Sequence, residues 1–215
     1  IAVLLMAYFY WFSPQQQPSE QKPVVTETIP TTAKDSVQQQ TAVTNDSILS
    51  ATYGDLSAFA QGKEDLTTIE TEDVIVTFSS KGGIIKELAL KHYTTYKNYK
   101  NARDHNTDSE KPLKLVSPER TSFNLITKYK GKDIDLYSLF YQVQQKKTGD
   151  TTVITFTLPM EGGASLTQRY AIPSKGYQIG YALNQKGLDQ SLTADNLTFQ
   201  WDDDIKPTEK DLQET

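Results

Sequence analysis

Asp73-Val-Ile-Val-Thr-Phe-Ser-Ser-Lys-Gly-Gly-Ile-Ile-Lys-Glu-Leu-Ala-Leu-Lys91 is the stretch that decides the fold. Its first half alternates Val74, Val76 and Phe78 with Ile75, Thr77 and Ser79. A period of two puts one set of side chains on each face of a strand. Ser80-Lys81-Gly82-Gly83 follows as a tight turn, since two adjacent glycines tolerate positive φ. Alternation then resumes, with Ile84, Leu88 and Leu90 expected on one face. Two alternating runs around a glycine turn predict a β-hairpin with one buried face.

The same pattern runs on towards the C-terminus. Residues 112–116, 122–128, 133–143, 151–159, 164–172, 177–184 and 197–201 read as strands, rich in β-branched and aromatic residues. Lys130-Gly131-Lys132, Met160-Glu161-Gly162-Gly163 and Pro173-Ser174-Lys175-Gly176 read as turns between them. Tyr177, Ile179, Tyr181 and Leu183 line one face of their strand, and Leu197, Phe199 and Trp201 one face of the last. Residues 92–111 are polar, with Tyr93, Tyr96 and Tyr99 at three-residue intervals, and read as a long loop with at most one helical turn. About nine strands joined by short turns predict antiparallel pairing in two sheets packed face to face.

The first twelve residues have another character. Ile1, Ala2, Val3, Leu4, Leu5, Met6, Ala7, Tyr8, Phe9, Tyr10, Trp11 and Phe12 are all apolar or aromatic. Such a run is costly in water, and no second run matches it, so a lipid bilayer is the expected surrounding. Crossing the hydrocarbon takes roughly 20 helical residues, so these twelve are expected to be the end of a longer membrane helix. The aromatic end suits the membrane–water boundary. Ser13-Pro14 stops a helix. An uncleaved anchor is expected over a cleaved signal peptide, because Trp11-Phe12-Ser13-Pro14 lacks the small residues of a cleavage site. Residues 13–50, rich in Gln, Thr, Pro and Ser, are expected to be a disordered, flexible linker. Residues 51–65 form a short lead-in with helical spacing, Asp55 as N-cap and Leu56, Phe59 and Ala60 on one face. The β domain is expected over 66–215.

Composition narrows the function classes. Lys and Arg number 22 against 27 Asp and Glu, a formal net charge of −5, which argues against nucleic acid as a partner. With no cysteine in the sequence, a disulfide framework, a cysteine-ligated metal site and a thiol nucleophile are excluded.

From residue 68 to Lys91 the chain resembles the first hairpin of the periplasmic domain of the YidC family of bacterial membrane protein insertases, in the form found in Bacteroidetes. Phe78-Ser-Ser-Lys-Gly-Gly83 followed by Leu88-Ala-Leu-Lys91 is the most specific part. Tyr53-Gly54 through Phe59-Ala-Gln-Gly62, Leu166-Thr-Gln-Arg-Tyr170 and Phe199-Gln-Trp201 are similar to other segments of that domain. The order of anchor, low-complexity linker and β domain matches as well. This resemblance implies an antiparallel β-supersandwich like that of galactose mutarotase, incomplete at its C-terminus. It implies an inner-membrane location with the β domain in the periplasm. It implies an accessory part in inserting and folding membrane proteins, with or without the Sec translocon, the insertase core lying beyond Thr215. The expected partners are the bilayer through residues 1–12, the Sec translocon and its accessory proteins, and nascent membrane-protein clients. No cofactor is called for.

Other constellations carry less. Sugar-processing chemistry needs an acid–base pair, and the sequence has only His92 and His105, both in a polar stretch that suits solvated side chains. Asp202-Asp203-Asp204 lacks the spacing of a calcium loop and reads as a solvated charge run. The tyrosines suggest an alternative, a membrane-anchored carbohydrate-binding β-sandwich module, because phenol rings stack on saccharides. No catalytic or metal-ligating set emerges, and the chain is expected not to be an enzyme.

Overall fold

A computed structural model describes residues 46–105, 111–193 and 197–210. Among them the fold is all-β and antiparallel, with eleven strands in three sheets. β1 (Leu66–Glu70), β2 (Val74–Ser79), β3 (Ile84–Leu90) and β4 (Leu113–Val116) form the first sheet in sequence order. The second has the order β10 (Gly180–Lys186), β9 (Ser165–Pro173), β8 (Thr151–Pro159), β7 (Gln142–Thr148). The third is β11 (Thr198–Asp203), β5 (Thr121–Tyr129), β6 (Lys132–Asp135).

The hairpin forms where its alternation puts it, with Ser79 opposite Ile84 and residues 80–83 as the loop. Val74, Val76 and Phe78 are fully buried. One extra residue in β3, Lys86, shifts the register between Thr77 and Phe78, so Ile85, not Lys86, stands opposite Phe78, and Ile85 rather than Ile84 shares the face of Leu88 and Leu90. Such a bulge bends and twists a strand, and here both isoleucines pack against the core. Facing the hairpin are Ile154, Phe156 and Leu158 of β8 and Leu166, Tyr170 and Ile172 of β9. The Phe78 ring lies 4.9 Å from that of Tyr170 and 5.9 Å from that of Phe156. Leu125, Tyr129 and Ile134 of the third sheet join the same core.

Three expectations need correction. Residues 133–143 are not one strand. The Asp135 carboxylate accepts from the Tyr137 and Leu125 amides at 3.0 and 2.9 Å. It thereby caps a 3-10 turn, Leu136–Ser138, at which the chain leaves one sheet for another. Residues 92–111 are not a loop throughout, because Tyr96–His105 is an α-helix. Thr95 starts it, its side-chain oxygen accepting from the Asn98 amide at 3.2 Å. Asp55 does not cap a helix. Residues 46–53 are helical, including part of the stretch whose composition reads as linker, and a 3-10 helix, Gly54–Phe59, follows directly. Asp55 lies in its first turn, and its carboxylate accepts from the Tyr129 hydroxyl at 2.9 Å and from Lys130 Nζ at 2.7 Å. Leu56 is buried and Phe59 and Ala60 pack on the core, so the apolar face of this segment docks on the sheets.

Candidate functional site

The turn of the first hairpin is not on the surface. Gly82 and Gly83 have φ of +80° and +61°, as left-handed backbone requires. Gly82 lies against the 3-10 turn at Tyr137, and Gly83 against Phe156 and Gln168 of the second sheet. The Gly82 amide donates to Leu139 O at 2.7 Å, and the Tyr141 amide donates to Ser80 O at 2.8 Å. Gln168, fully buried on β9, donates from Nε2 to Gly82 O at 2.7 Å. The Tyr170 hydroxyl donates to Gly83 O at 2.9 Å. There is no room for a side chain here. A Cβ on Gly82 would sit 2.7 Å from Tyr137 O, and one on Gly83 would sit 2.8 Å from Gln168 Nε2.

Beside this turn an apolar groove of about 480 Å³ runs between the second and third sheets. Ile84, Ile85, Tyr137 and Tyr170 form its floor. Tyr181 and Leu183 of β10 line one wall, and Leu125, Leu197 and Phe199 line the other. The wall residues are open to water: Tyr181 is 47% exposed, Leu197 50% and Phe199 55%, with Trp201 beside them at 58%. Phe123 binds the aromatic wall together, its ring 6.0 Å from Phe199 and 5.8 Å from Trp201. Among the described residues β10 and β11 are both edge strands of their sheets.

Among the described residues, the side chains lining the groove are apolar or phenolic. The Tyr181 hydroxyl donates to Gln168 Oε1 at 3.1 Å. Burial pushes the hydroxyls of Tyr137, Tyr141 and Tyr170 far above the usual phenol range, and Tyr181 upward too. These phenols stay protonated at neutral pH. The chemistry of the groove is that of apolar contact and main-chain pairing.

Other residues singled out by sequence are scattered. Residues 1–12, expected from sequence to be a membrane anchor, lie outside the described residues. No helix among the described residues is long and apolar enough to cross a membrane. His92 Nε2 lies 3.1 Å from Glu72 O and 3.4 Å from Asp73 Oδ1, on the surface. His105 is exposed at the end of the Tyr96–His105 helix. The rings of Tyr93 and Tyr177 meet edge-on, 5.8 Å apart at 70°. The acidic run is not simply a solvated one. Asp203 is largely buried against Arg120, whose Nη1 donates to Oδ1 at 3.1 Å and Oδ2 at 3.2 Å. Arg120 Nη2 also donates to Lys114 O and Leu115 O, both at 2.8 Å, joining β11 to β4. Among the described residues no three acidic, His or Cys side chains cluster as metal ligands.

Sequence reading missed the groove. Its one legible signal is Leu197, Phe199 and Trp201 on one strand face, which alternation assigns to a core without showing that the face lies open.

Comparison with known proteins places this architecture. A membrane protein insertase YidC from Cytophaga hutchinsonii is 30% identical over the whole chain, which covers 33% of that relative. One from Amoebophilus asiaticus is 27% identical over 99% of the chain and 34% of its own length. One from Chloroherpeton thalassium is 25% identical over the whole chain and 36% of its own length. The chain thus spans about a third of the length of the curated relatives it matches. No solved structure matches it significantly. The model of the YidC periplasmic domain family matches residues 66–214, nearly the whole β region, and the chain belongs to that family.

Proposed function

We propose that this chain is the accessory periplasmic part of a bacterial inner-membrane protein insertase. Residues 1–12 are the outer end of its first transmembrane helix, and 13–50 a linker whose last residues join the helix at 46–53. Residues 51–65 are the lead-in, and 66–215 a β-sandwich that continues past Thr215. The domain assists insertion and folding of inner-membrane proteins, with or without the Sec translocon, and the insertase core lies outside these residues. The domain works by contact and not by catalysis.

The observation that carries this reading is the family match over residues 66–214, joined by insertase-named relatives that align with the whole chain. The neutral, apolar character of the groove favours a contact role. Depletion of the full-length protein, followed by assays of client insertion into the inner membrane, tests it. Loss of insertion for a subset of clients is the expected result. Normal insertion of every client overturns the reading.

A further inference from the structure

Resting on the inner-membrane reading above, we propose that the outward face of the Tyr96–His105 helix is a lipid-contact surface. It lays its cations on the anionic headgroups of the bilayer beside which the domain is tethered.

Tyr96, Tyr99, Lys100 and Arg103 recur at the i, i+3, i+4, i+7 spacing, which puts them on one side of the helix. Lys97 and Asp104 border that stripe. Ala102, the one buried residue of the helix, stands on the opposite side. Lys97, Lys100 and Arg103 thus meet a single acid, Asp104, in a chain whose net charge is −5. Arg103 and Asp104 pair at 3.0 Å with side chains 58% and 44% exposed, a weak contact in water. The side chains of Lys97 and Lys100 are exposed, and neither has an ion-pair or hydrogen-bond partner among the described residues. Tyr99 is 46% exposed, and Tyr93, just ahead of the helix, 52%.

The fold does not account for this face. A helix of ten residues is marginal in water by itself, and one buried alanine adds little to it. Its start is fixed to the domain by main-chain bonding, since the Tyr96 amide donates to Thr208 O at 2.8 Å. The outer face is therefore displayed on a firm base and left for something else to meet. Phenol rings beside long cationic side chains suit the headgroup layer, where an apolar body meets a polar tip and cations meet lipid phosphates. An acidic protein segment would satisfy the same cations. Lipid is favoured because the face is the convex side of a single helix, which fits a planar, fluid partner without a pocket.

A photoreactive benzophenone amino acid in place of Tyr99, in the full-length, membrane-embedded protein, tests the proposal. Irradiation in lipid discs containing about one-third phosphatidylglycerol should give adducts of phospholipid mass at position 99. In discs of phosphatidylcholine alone, or with Lys97→Glu and Lys100→Glu combined, they should fall at least about tenfold. About 0.5 M salt should reduce them too, by screening, with no change of sequence beyond the probe. Equal labelling in the two kinds of disc, or labelling indifferent to both salt and the double substitution, overturns the proposal. So does irradiation in cells that joins position 99 to another protein or to a second copy of the chain instead of to lipid. The depletion assay judges the insertase reading separately. Client insertion lost on depletion, with no lipid adduct at position 99, removes this proposal and leaves that reading standing.

Discussion

Gln168 Nε2 donates to Gly82 O at 2.7 Å, and the two residues stand 86 positions apart. This bond fastens the turn of the first hairpin to the second sheet. It satisfies a carbonyl that would otherwise be buried without a partner. Replacing Gln168 with Leu keeps the bulk and removes both the donor to Gly82 and the acceptor for Tyr181. The expected loss is about 1–3 kcal/mol, the cost of leaving a buried carbonyl unpaired. Urea denaturation followed by tryptophan fluorescence measures it, and an unchanged midpoint would show that water takes over the bond.

The same turn separates two costs of replacing glycine. Gly149 sits at φ +58° with open space where a Cβ would go, so Gly149→Ala carries backbone strain alone, about 1–2 kcal/mol. Gly83→Ala meets Gln168 and Phe156 at 2.8–3.0 Å besides. It should cost a further ~1–3 kcal/mol through overpacking. Equal losses in the two variants would contradict the buried position of the turn.

Arg120 and Asp203 offer a contrast between buried and exposed ion pairs. Their side chains are 16% and 11% exposed, whereas those of Lys128 and Asp133 are 50% and 68% exposed. Arg120→Ala leaves Asp203 charged and poorly hydrated, and should cost about 2–4 kcal/mol. Lys128→Ala should cost no more than about 0.5 kcal/mol. Chemical denaturation of both variants in roughly 0.5 M salt checks the ranking, which salt should hardly alter for the Arg120 pair.

Glu64 provides a pH dependence. Its carboxylate accepts from Lys86 Nζ and, at 2.7 Å, from the Ser79 hydroxyl, and these partners hold it below the ordinary value of 4.5. A carboxyl held low in the folded state binds fewer protons there than in the unfolded chain. Its contribution is therefore present above pH 4.5 and disappears as pH falls through the lower folded-state value. The stability gap between the natural protein and Glu64→Gln should narrow over that window. A gap independent of pH would mean that the uncharged amide of that variant keeps the same bonds.

Leu56 tests whether the lead-in is part of the cooperative unit. It is 1% exposed. Leu56→Ala should lower global stability by about 2–4 kcal/mol. If the lead-in merely frays, hydrogen exchange will rise at residues 46–60 while the urea midpoint stays put.

Local patterns were legible where they were strong. Alternation placed Val74, Val76 and Phe78 in the core and set the hairpin loop at residues 80–83. The order of motifs around Phe78-Ser-Ser-Lys-Gly-Gly83 pointed to the family that the comparisons support. Features that depend on distant partners were hidden. The Arg120–Asp203 pair spans 83 positions, and nothing local distinguishes Asp203 from its exposed neighbour Asp202. The break at Asp135 could have been read, since an Asp in an apolar run is a capping residue. So could the Tyr96–His105 helix, from Thr95 as its cap and tyrosines at near-helical spacing, though its buried face amounts to Ala102 alone.

The buried turn also sets an order of events. Residues 80–83 emerge early, yet Gln168 and Tyr170, which hold their carbonyls, come 86 and 87 positions after Gly82 and Gly83. Contacts of such long range are slow to form, because a large loop must close before they repay its entropy. The hairpin therefore cannot lock as it appears. A chain delivered across a membrane N-terminus first would stay pliant, its glycine turn unfilled, until β9 arrives to seal it.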